Sequence, residues 1–333
     1  MSIVILGIES SCDDTSAAIC KNAKILANLV ANQTVHQQWG GVVPELASRA
    51  HQQNIVPVVD AAIKKAGIHP DEINAVAFTR GPGLIGSLLV GVSFAKAFAL
   101  AKNIPLIEVN HMQAHILAHF IDATPTFPFL CLTVSGGHTQ IVLVKDFLEM
   151  EVIGETLDDA AGEAFDKSAK LLGLPYPGGP LIDEYAQKGD ASKFPFPEPQ
   201  IAELDFSFSG VKTSILYFLQ KQTRLNPDFV KENIYDLCAG VQKTIVDILL
   251  KKLEKAAIKT GVKEIALAGG VSANSELRRR FAELGDKNGW KAHIPKFEYC
   301  TDNAAMIAIT AYHKYLKGEF TNQSAEPLAR YHL

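Results

Sequence analysis

One order of elements occurs twice in this chain, and that repetition constrains the fold more than any single motif. The apolar run Ile3–Ile8 leads into the polar turn Glu9-Ser-Ser-Cys-Asp-Asp-Thr15. A second run, Ser16–Cys20, a turn at Lys21–Lys24 and a third run, Ile25–Val30, follow. Short apolar runs bounded by polar turns predict a three-strand meander. Pro44–Ala66 has helical periodicity, with Val56, Val59, Ala62 and Ile63 on one face and Gly67 as its stop. Ile73–Phe78 predicts a buried strand, Leu88–Ala101 an apolar helix and Pro105–Val109 another strand. The second half repeats the order. Phe129–Val134, Gln140–Val144 and a stretch containing Met150–Ile153 predict a second meander. Helices follow, then the buried strand Ile265–Ala268, a Gly-Gly turn and a helix from about Asn274. The expected fold class is therefore a duplicated α/β architecture. Its two turns, Ser10–Thr15 and Ser135–Thr139, are expected to face each other across a cleft.

The stretch Asn110-His-Met-Gln-Ala-His115 carries the sharpest chemical signal. His111 and His115 are spaced i, i+4, so on a helix their imidazoles stack about one turn apart. Such a pair can hold one divalent metal ion. Asp302, in Cys-Thr-Asp-Asn-Ala-Ala-Met ahead of a late apolar helix, is the best-placed third ligand. Two His and one carboxylate make an open site suited to Fe(II) or Zn. A metal-free histidine pair on a half-exposed helix is the competing reading.

Several glycine motifs point to ligand loops. Ser135-Gly-Gly-His-Thr139 lies between two strands, where its N–H groups form an anion nest or an ordinary hairpin turn. Ala268-Gly-Gly-Val-Ser-Ala-Asn274 joins a strand to a helix, a junction suited to nucleotide binding or to a cap on Asn274. Gly81-Pro-Gly-Leu-Ile-Gly86 imitates a dinucleotide fingerprint, but a meander precedes it, and close helix–strand packing explains its glycines. Asp158–Lys167 is expected to be helical, with Asp159, Glu163 and Asp166 on one face. Tyr176–Pro180 is expected to be a loop, followed by Asp183, which could bind ribose hydroxyls or cap a helix.

Composition excludes several classes. With 333 residues and 47% hydrophobic content, the chain exceeds one small core and predicts two domains. A formal charge of -4 argues against bulk non-specific nucleic-acid binding, though not against a local patch such as Arg278, Arg279 and Arg280. No apolar run is expected to span a bilayer. The start of the chain reads as a first strand, not a signal peptide. Five scattered cysteines without Cys-x-x-Cys predict reduced thiols in a cytoplasmic protein. There is no Gly-x-x-x-x-Gly-Lys-[Ser/Thr] loop, and position 112 is Met, so the His pair lacks the general base of zinc peptidases.

Taken in order, Gly7–Thr15, Gly40–Arg49, Gly81–Gly86, the His111/His115 pair, Val134–Thr139, Asp158–Lys167, Tyr176–Pro180, Asp205–Gly210 and Ala268–Asn274 resemble the bacterial TsaD (Gcp) family, the tRNA adenosine threonylcarbamoyltransferases. The resemblance implies the actin-like, sugar-kinase and heat-shock ATPase (ASKHA) fold, with two domains around a nucleotide cleft. It implies one domain at 1–107 plus 308–333, and a second at 108–307 carrying the metal and nucleotide site. It implies that His111, His115 and Asp302 bind a divalent metal, Fe(II) ahead of Zn or Mg. It further implies that Thr133, Val134, Ser135, Gly136, Gly137, His138, Asp166, Gly179, Asp183 and Asn274 line an adenine-nucleotide and acyl site. The implied reaction moves a threonylcarbamoyl group from threonylcarbamoyl-AMP to the exocyclic amine of the adenosine beside the anticodon, in tRNAs reading ANN codons. The implied partners are tRNA, a paralogous TsaB-like protein of the same fold and a small TsaE-like ATPase, with no membrane. The competing functions are a metallopeptidase, an ATP-gated scaffold and a sugar kinase.

Overall fold

The computed structural model describes residues 2–33, 36, 39–199 and 201–333. In chain order the main elements begin with β1 (Val4–Glu9), β2 (Thr15–Lys21), β3 (Lys24–Ala31), α1 (Pro44–Ala66), β4 (Ala75–Gly81), α2 (Ile85–Lys102), β5 (Leu106–Asn110) and α3 (His111–Leu117). Next come β6 (Phe129–Val134), β7 (Thr139–Asp146), β8 (Glu149–Glu155), α4 (Ala161–Leu171), α5 (Gly178–Ala186), α6 (Ser209–Leu225) and α7 (Phe229–Glu232). The last are α8 (Ile234–Thr260), β9 (Glu264–Ala268), α9 (Ser275–Asn288), β10 (Lys291–His293) and α10 (Ala304–Lys317). The chain divides into two compact units. The first comprises Met1–Pro125, Asp146–Met150 and Pro295–Leu333, and the second Thr126–Lys145 and Glu151–Ile294.

The expected duplication is present. The first sheet runs β3-β2-β1-β4-β5 and the second β10-β9-β6-β7-β8, so β6 to β10 retrace the order of β1 to β5. In each, an antiparallel hairpin (β1–β2, β6–β7) meets a parallel neighbour (β4, β9) on its other side. The first strand of each repeat is therefore central, and both β1 and β6 are buried throughout. That explains their unbroken apolar runs, because a strand covered on both faces has no polar side.

Strand parity assigns the faces of the first sheet. Val4, Leu6 and Ile8 pack with Ile55, Val59, Ala62 and Ile63 of α1 and with Val92, Ala95 and Ala99 of α2. Ile5 faces the other way, into a cluster with Ala114 of α3 and Ala304, Ala305, Ile307, Ala308 and Ala311 of α10. The small residues of α10 let it approach the sheet closely. A Cβ added at Gly7 would lie 2.7 Å from the Ala304 carbonyl oxygen and 2.9 Å from the Ala308 Cβ. The start of α10 is also tied down by hydrogen bonds, since Ala304 N–H donates to Ser16 Oγ (2.8 Å) and Ala305 N–H to Asn28 Oδ1 (3.2 Å).

Five expectations are corrected. Val56 of α1 points outward and is 60% exposed, because the buried stripe instead extends through Ala47, His51 and Ile55. α4 starts at Ala161, so Asp158 and Asp159 precede it; Asp158 instead accepts from the N–H groups of Phe208 (2.8 Å) and Ser209 (3.3 Å). Gly178 and Gly179 belong to the first turn of α5 and are not loop residues. The units part at Pro125/Thr126 and Ile294/Pro295, not near 107 and 307, because α3 and α10 both pack on the first sheet. Finally, α2 is long and apolar enough, by length and composition, to cross a membrane. One stripe of that helix, Ser87, Leu88, Gly91, Val92, Ala95 and Ala99, is buried inside the first unit.

Replacing Gly7 by Ala is expected to force α10 off the sheet. Overpacking of this kind costs about 1–3 kcal/mol. The denaturant midpoint should fall at unchanged slope; an unchanged midpoint would refute the close packing of α10 on β1.

Candidate functional site

β5 ends at Asn110, whose side-chain oxygen accepts from the N–H groups of Met112 (2.9 Å) and Gln113 (3.2 Å) and so starts α3. His111 and His115 then face the same way, with ring centroids 4.7 Å apart. Asp302 sits just ahead of α10, which Asn303 caps through the Met306 N–H (3.1 Å). The fold brings the Asp302 carboxylate to 3.4 Å from His111 Nε2 and 3.2 Å from His115 Nε2. One ligand atom from each of the three lies within 4.8 Å of the others, close enough to hold one metal ion. Met112, at the position a zinc peptidase gives to its base, is buried and apolar.

A fourth residue completes this cluster, and sequence reasoning missed it. Glu9 ends β1 on the same face as Ile5 and Gly7, and it is fully buried. Its carboxylate accepts from the Thr79 hydroxyl (2.6 Å) and the Ser11 N–H (2.5 Å), and its Oε2 lies 3.1 Å from His111 Nδ1. This is how metal-binding histidines are usually oriented: one ring nitrogen goes to a carboxylate and the other is left for the ion. The signal available in the sequence was a carboxylate closing a wholly apolar strand, which burial makes costly unless it is used.

The electrostatics suit a cation. Burial opposes a charge on His111, but the carboxylates of Asp302 and Glu9 outweigh it and raise its pKa well above the usual value. Burial likewise pushes Glu9 and Asp302 up, yet His111 outweighs it and holds both low. Burial, Asp13, Asp302 and Glu9 together push Asp14 up to about 7. Negative charge therefore exceeds positive around the histidines, and His115 Nδ1 is buried without a hydrogen-bond partner. A divalent ion fits that donor set and that charge.

The loop Ser10–Asp14 is positioned from two sides. Its Cys12 carbonyl accepts from Ser87 Oγ (2.8 Å) of α2 and lies 3.1 Å from His51 Nε2 of α1, and the Ser11 carbonyl accepts from Leu84 N–H (2.8 Å). A Cβ at Gly83 would collide with Ser11, so close packing accounts for that glycine.

In the second unit a cavity of about 280 Å³ brings together Gly136, Asp166, Gly179, Asp183 and Asn274, along with Gly162, Phe165 and Gly270. Thr133 and Val134 are buried in β6. Ser135 and His138 close the hairpin turn on each other, through Ser135 N–H to the His138 carbonyl (2.8 Å) and His138 N–H to Ser135 Oγ (3.0 Å). Thr133, Val134, Ser135, Gly137 and His138 are not among the cavity's lining residues. Asp166 accepts from the N–H groups of Gly178 (2.8 Å) and Gly179 (3.1 Å) at the start of α5. Burial pushes its pKa up against those bonds. Asp183 accepts from Ser275 N–H (2.9 Å) and Gln242 Nε2 (2.5 Å), and Asn274 caps α9 through Leu277 N–H (2.9 Å). Both thus cap or brace α9 while lining the cavity. Lys167 pairs with Asp159 (2.7 Å) and Glu163 (2.8 Å), so the acidic face expected there has its cation.

Gly162 sets how closely α4 meets the turn. A Cβ there would lie 2.6 Å from the Ser135 carbonyl oxygen, whereas one at Gly137 would meet nothing within 4 Å. Gly162→Ala should therefore lower thermal stability by the equivalent of about 1–3 kcal/mol, while Gly137→Ala should leave it unchanged. Equal effects in a melting experiment would contradict this geometry.

Residues 24–309 match the family model described as TsaD, tRNA N6-adenosine threonylcarbamoyltransferase. A curated relative with that description, from Christiangramia forsetii, is 63% identical over 333 residues, covering 99% of this chain and 98% of that protein. Among solved structures, full-length HypF in its phosphate- and nucleotide-bound form has a TM-score of 0.61 at 15% identity, over 96% of this chain and 56% of that one. ROK hexokinase from Thermus thermophilus has a TM-score of 0.50 at 15% identity, over 96% and 100%. Such low identities speak for the fold alone, and the fold is the duplicated ASKHA architecture. The chain belongs to the TsaD family of tRNA N6-adenosine threonylcarbamoyltransferases, enzymes that modify tRNA.

Proposed function

We propose that this protein moves the threonylcarbamoyl group of threonylcarbamoyl-AMP onto the exocyclic amine of the adenosine beside the anticodon, in tRNAs reading ANN codons. The observation that carries the metal-assisted part of this reading is the convergence of His111, His115 and Asp302 from distant parts of the chain, with Glu9 beside His111. In the reading, those three residues hold one divalent ion, Fe(II) by preference for a two-His, one-carboxylate set. When bound, such an ion supplies Lewis acidity toward the acyl oxygens.

The other roles belong to the chain. Glu9 holds the Nδ1 side of His111 and leaves Nε2 free for the ion. The cavity with Gly136, Asp166, Gly179, Asp183 and Asn274 receives the adenylate, with Thr133, Val134, Ser135, Gly137 and His138 shaping the turn beside it. Open space over Gly136 and Gly137 supports this, because a ligand can approach the backbone there. N–H groups of such a turn can stabilise charge developing in an acyl transfer. AMP is a good leaving group, and no side chain is assigned as general base. The reading includes a paralogous TsaB-like partner and a small TsaE-like ATPase, and it places the work in the cytoplasm with tRNA. Its support for these is the motif set. A peptidase reading lacks a base beside the histidines, since Met112 occupies that place.

Mass analysis of tRNA nucleosides after depletion of the protein should show loss of threonylcarbamoyladenosine; an unchanged nucleoside profile would overturn the reading. For the metal, His111→Ala, His115→Ala and Asp302→Ala should each remove most of the bound ion. The losses should be strongly non-additive, because the three act as a unit. Outer ligands typically contribute ~10–100-fold in affinity, so a direct ligand should cost at least that. Full occupancy in folded Asp302→Ala protein, by elemental analysis, would remove Asp302 from the site.

A further inference from the structure

The last residues of the chain lie against the strand ends that deliver the histidines. Leu328 N–H donates to the Arg80 carbonyl (2.8 Å), and the Ala329 carbonyl accepts from Gly83 N–H (3.2 Å). The Arg80 guanidinium lies over the Tyr331 ring, 5.5 Å from its centroid, and donates from Nη1 to Glu108 (2.8 Å) and from Nε to the Glu326 carbonyl (2.9 Å). Tyr331 Oη donates to the same Glu108 carboxylate (3.4 Å). Beyond these contacts, Asn110 Nδ2 donates to the carbonyl oxygens of both Tyr331 (3.1 Å) and His332 (3.2 Å).

Asn110 is the residue on which this arrangement turns. It is 6% exposed, and all of its side-chain bonds point in opposite senses. Its Oδ1 accepts from the first turn of α3, and its Nδ2 donates to the tail. An amide can satisfy both sides only in one orientation, acceptor toward the helix and donor toward the tail. A cap needs only the oxygen, and Asp or Ser would serve as well. The donor half therefore has a separate task. α3 is short, and both histidines lie within its first five residues. Rotation or fraying at its start would move their ring nitrogens relative to Asp302.

We propose that the tail segment Leu328–His332 is a positioning strap that, through Asn110, sets the divalent-cation affinity of His111, His115 and Asp302. Asn110 and the tail are positioning residues; neither is a ligand. The inference rests on the metal reading above.

The test compares two variants of the full-length protein by Co(II) titration, with d–d absorption and competition against a chelator as readouts. Asn110→Asp keeps the capping oxygen but turns an oxygen toward the two tail carbonyls, so the strap is released and the cap remains. Removal of residues 331–333 releases the same bonds, together with the Tyr331 contacts to Arg80 and Glu108, and leaves Asn110 intact. Both should raise the Co(II) Kd about 10-fold or more and change the d–d spectrum. Their metal-free melting temperatures should stay within a few degrees of the parent. Parent-like Kd and spectrum in both folded variants would overturn the strap while leaving the metal site standing. A parent protein that takes up no Co(II) would overturn the metal reading and the strap with it. A variant that loses metal only in proportion to a large fall in melting temperature would show a merely structural contact, and also overturns the proposal.

Discussion

The buried carboxylate of Glu9 is the group on which the arrangement around the first unit's histidines depends. A carboxylate without solvent is costly unless every lone pair is used. Here Thr79 from the end of β4, the Ser11 amide from the turn after β1, and His111 from the start of α3 supply the partners. Satisfying one charge thereby aligns the C-terminal ends of two adjacent parallel strands and the first residue of a third element. Those ends are where an open α/β sheet presents its ligands. The same carboxylate leaves His111 with one defined nitrogen facing Asp302.

The two repeats furnish one topology with different side chains. In the first, β5 passes into a short helix that carries two imidazoles, and α10 returns to the same sheet bearing Asp302. In the second, β6 and β9 lead into glycine turns, and carboxyl and amide side chains bind the starts of α5 and α9. The absence of a Cβ at Gly162 lets α4 reach the Ser135 turn, just as the absence of one at Gly7 lets α10 reach β1. In both repeats a glycine lets a helix pack closely, on β1 in the first and on the turn after β6 in the second.

Much of this was legible in the sequence, and the exceptions have physical causes. The strands and α1 follow from periodicity and turn residues, which are local. The i, i+4 pair His111 and His115 needed only a helix to bring its two rings together. Asp302 could be suggested as a ligand but not placed, and Glu9 reads simply as the first residue of a polar turn. Val56 was assigned to the buried face because it is apolar, yet α1 turns a different stripe inward to meet α2 and β2. Asp158 and Asp159 look helical beside Glu163, but Asp158 is drawn to the Phe208 and Ser209 amides, about fifty positions away in the chain.

By itself the sequence determined the element order, its duplication, the histidine spacing and the glycine turns. Each depends on neighbours within one or two turns or strands. Only the tertiary structure decided that Asp302 meets His115 across 187 positions, and that Glu9 meets His111 across 102. It alone decided that α3 and α10 belong with the first sheet, and that the tail reaches Asn110. Those pairings depend on strand order and on which helix can pack on Gly7. These are properties of the whole sheet's burial, which no local pattern encodes.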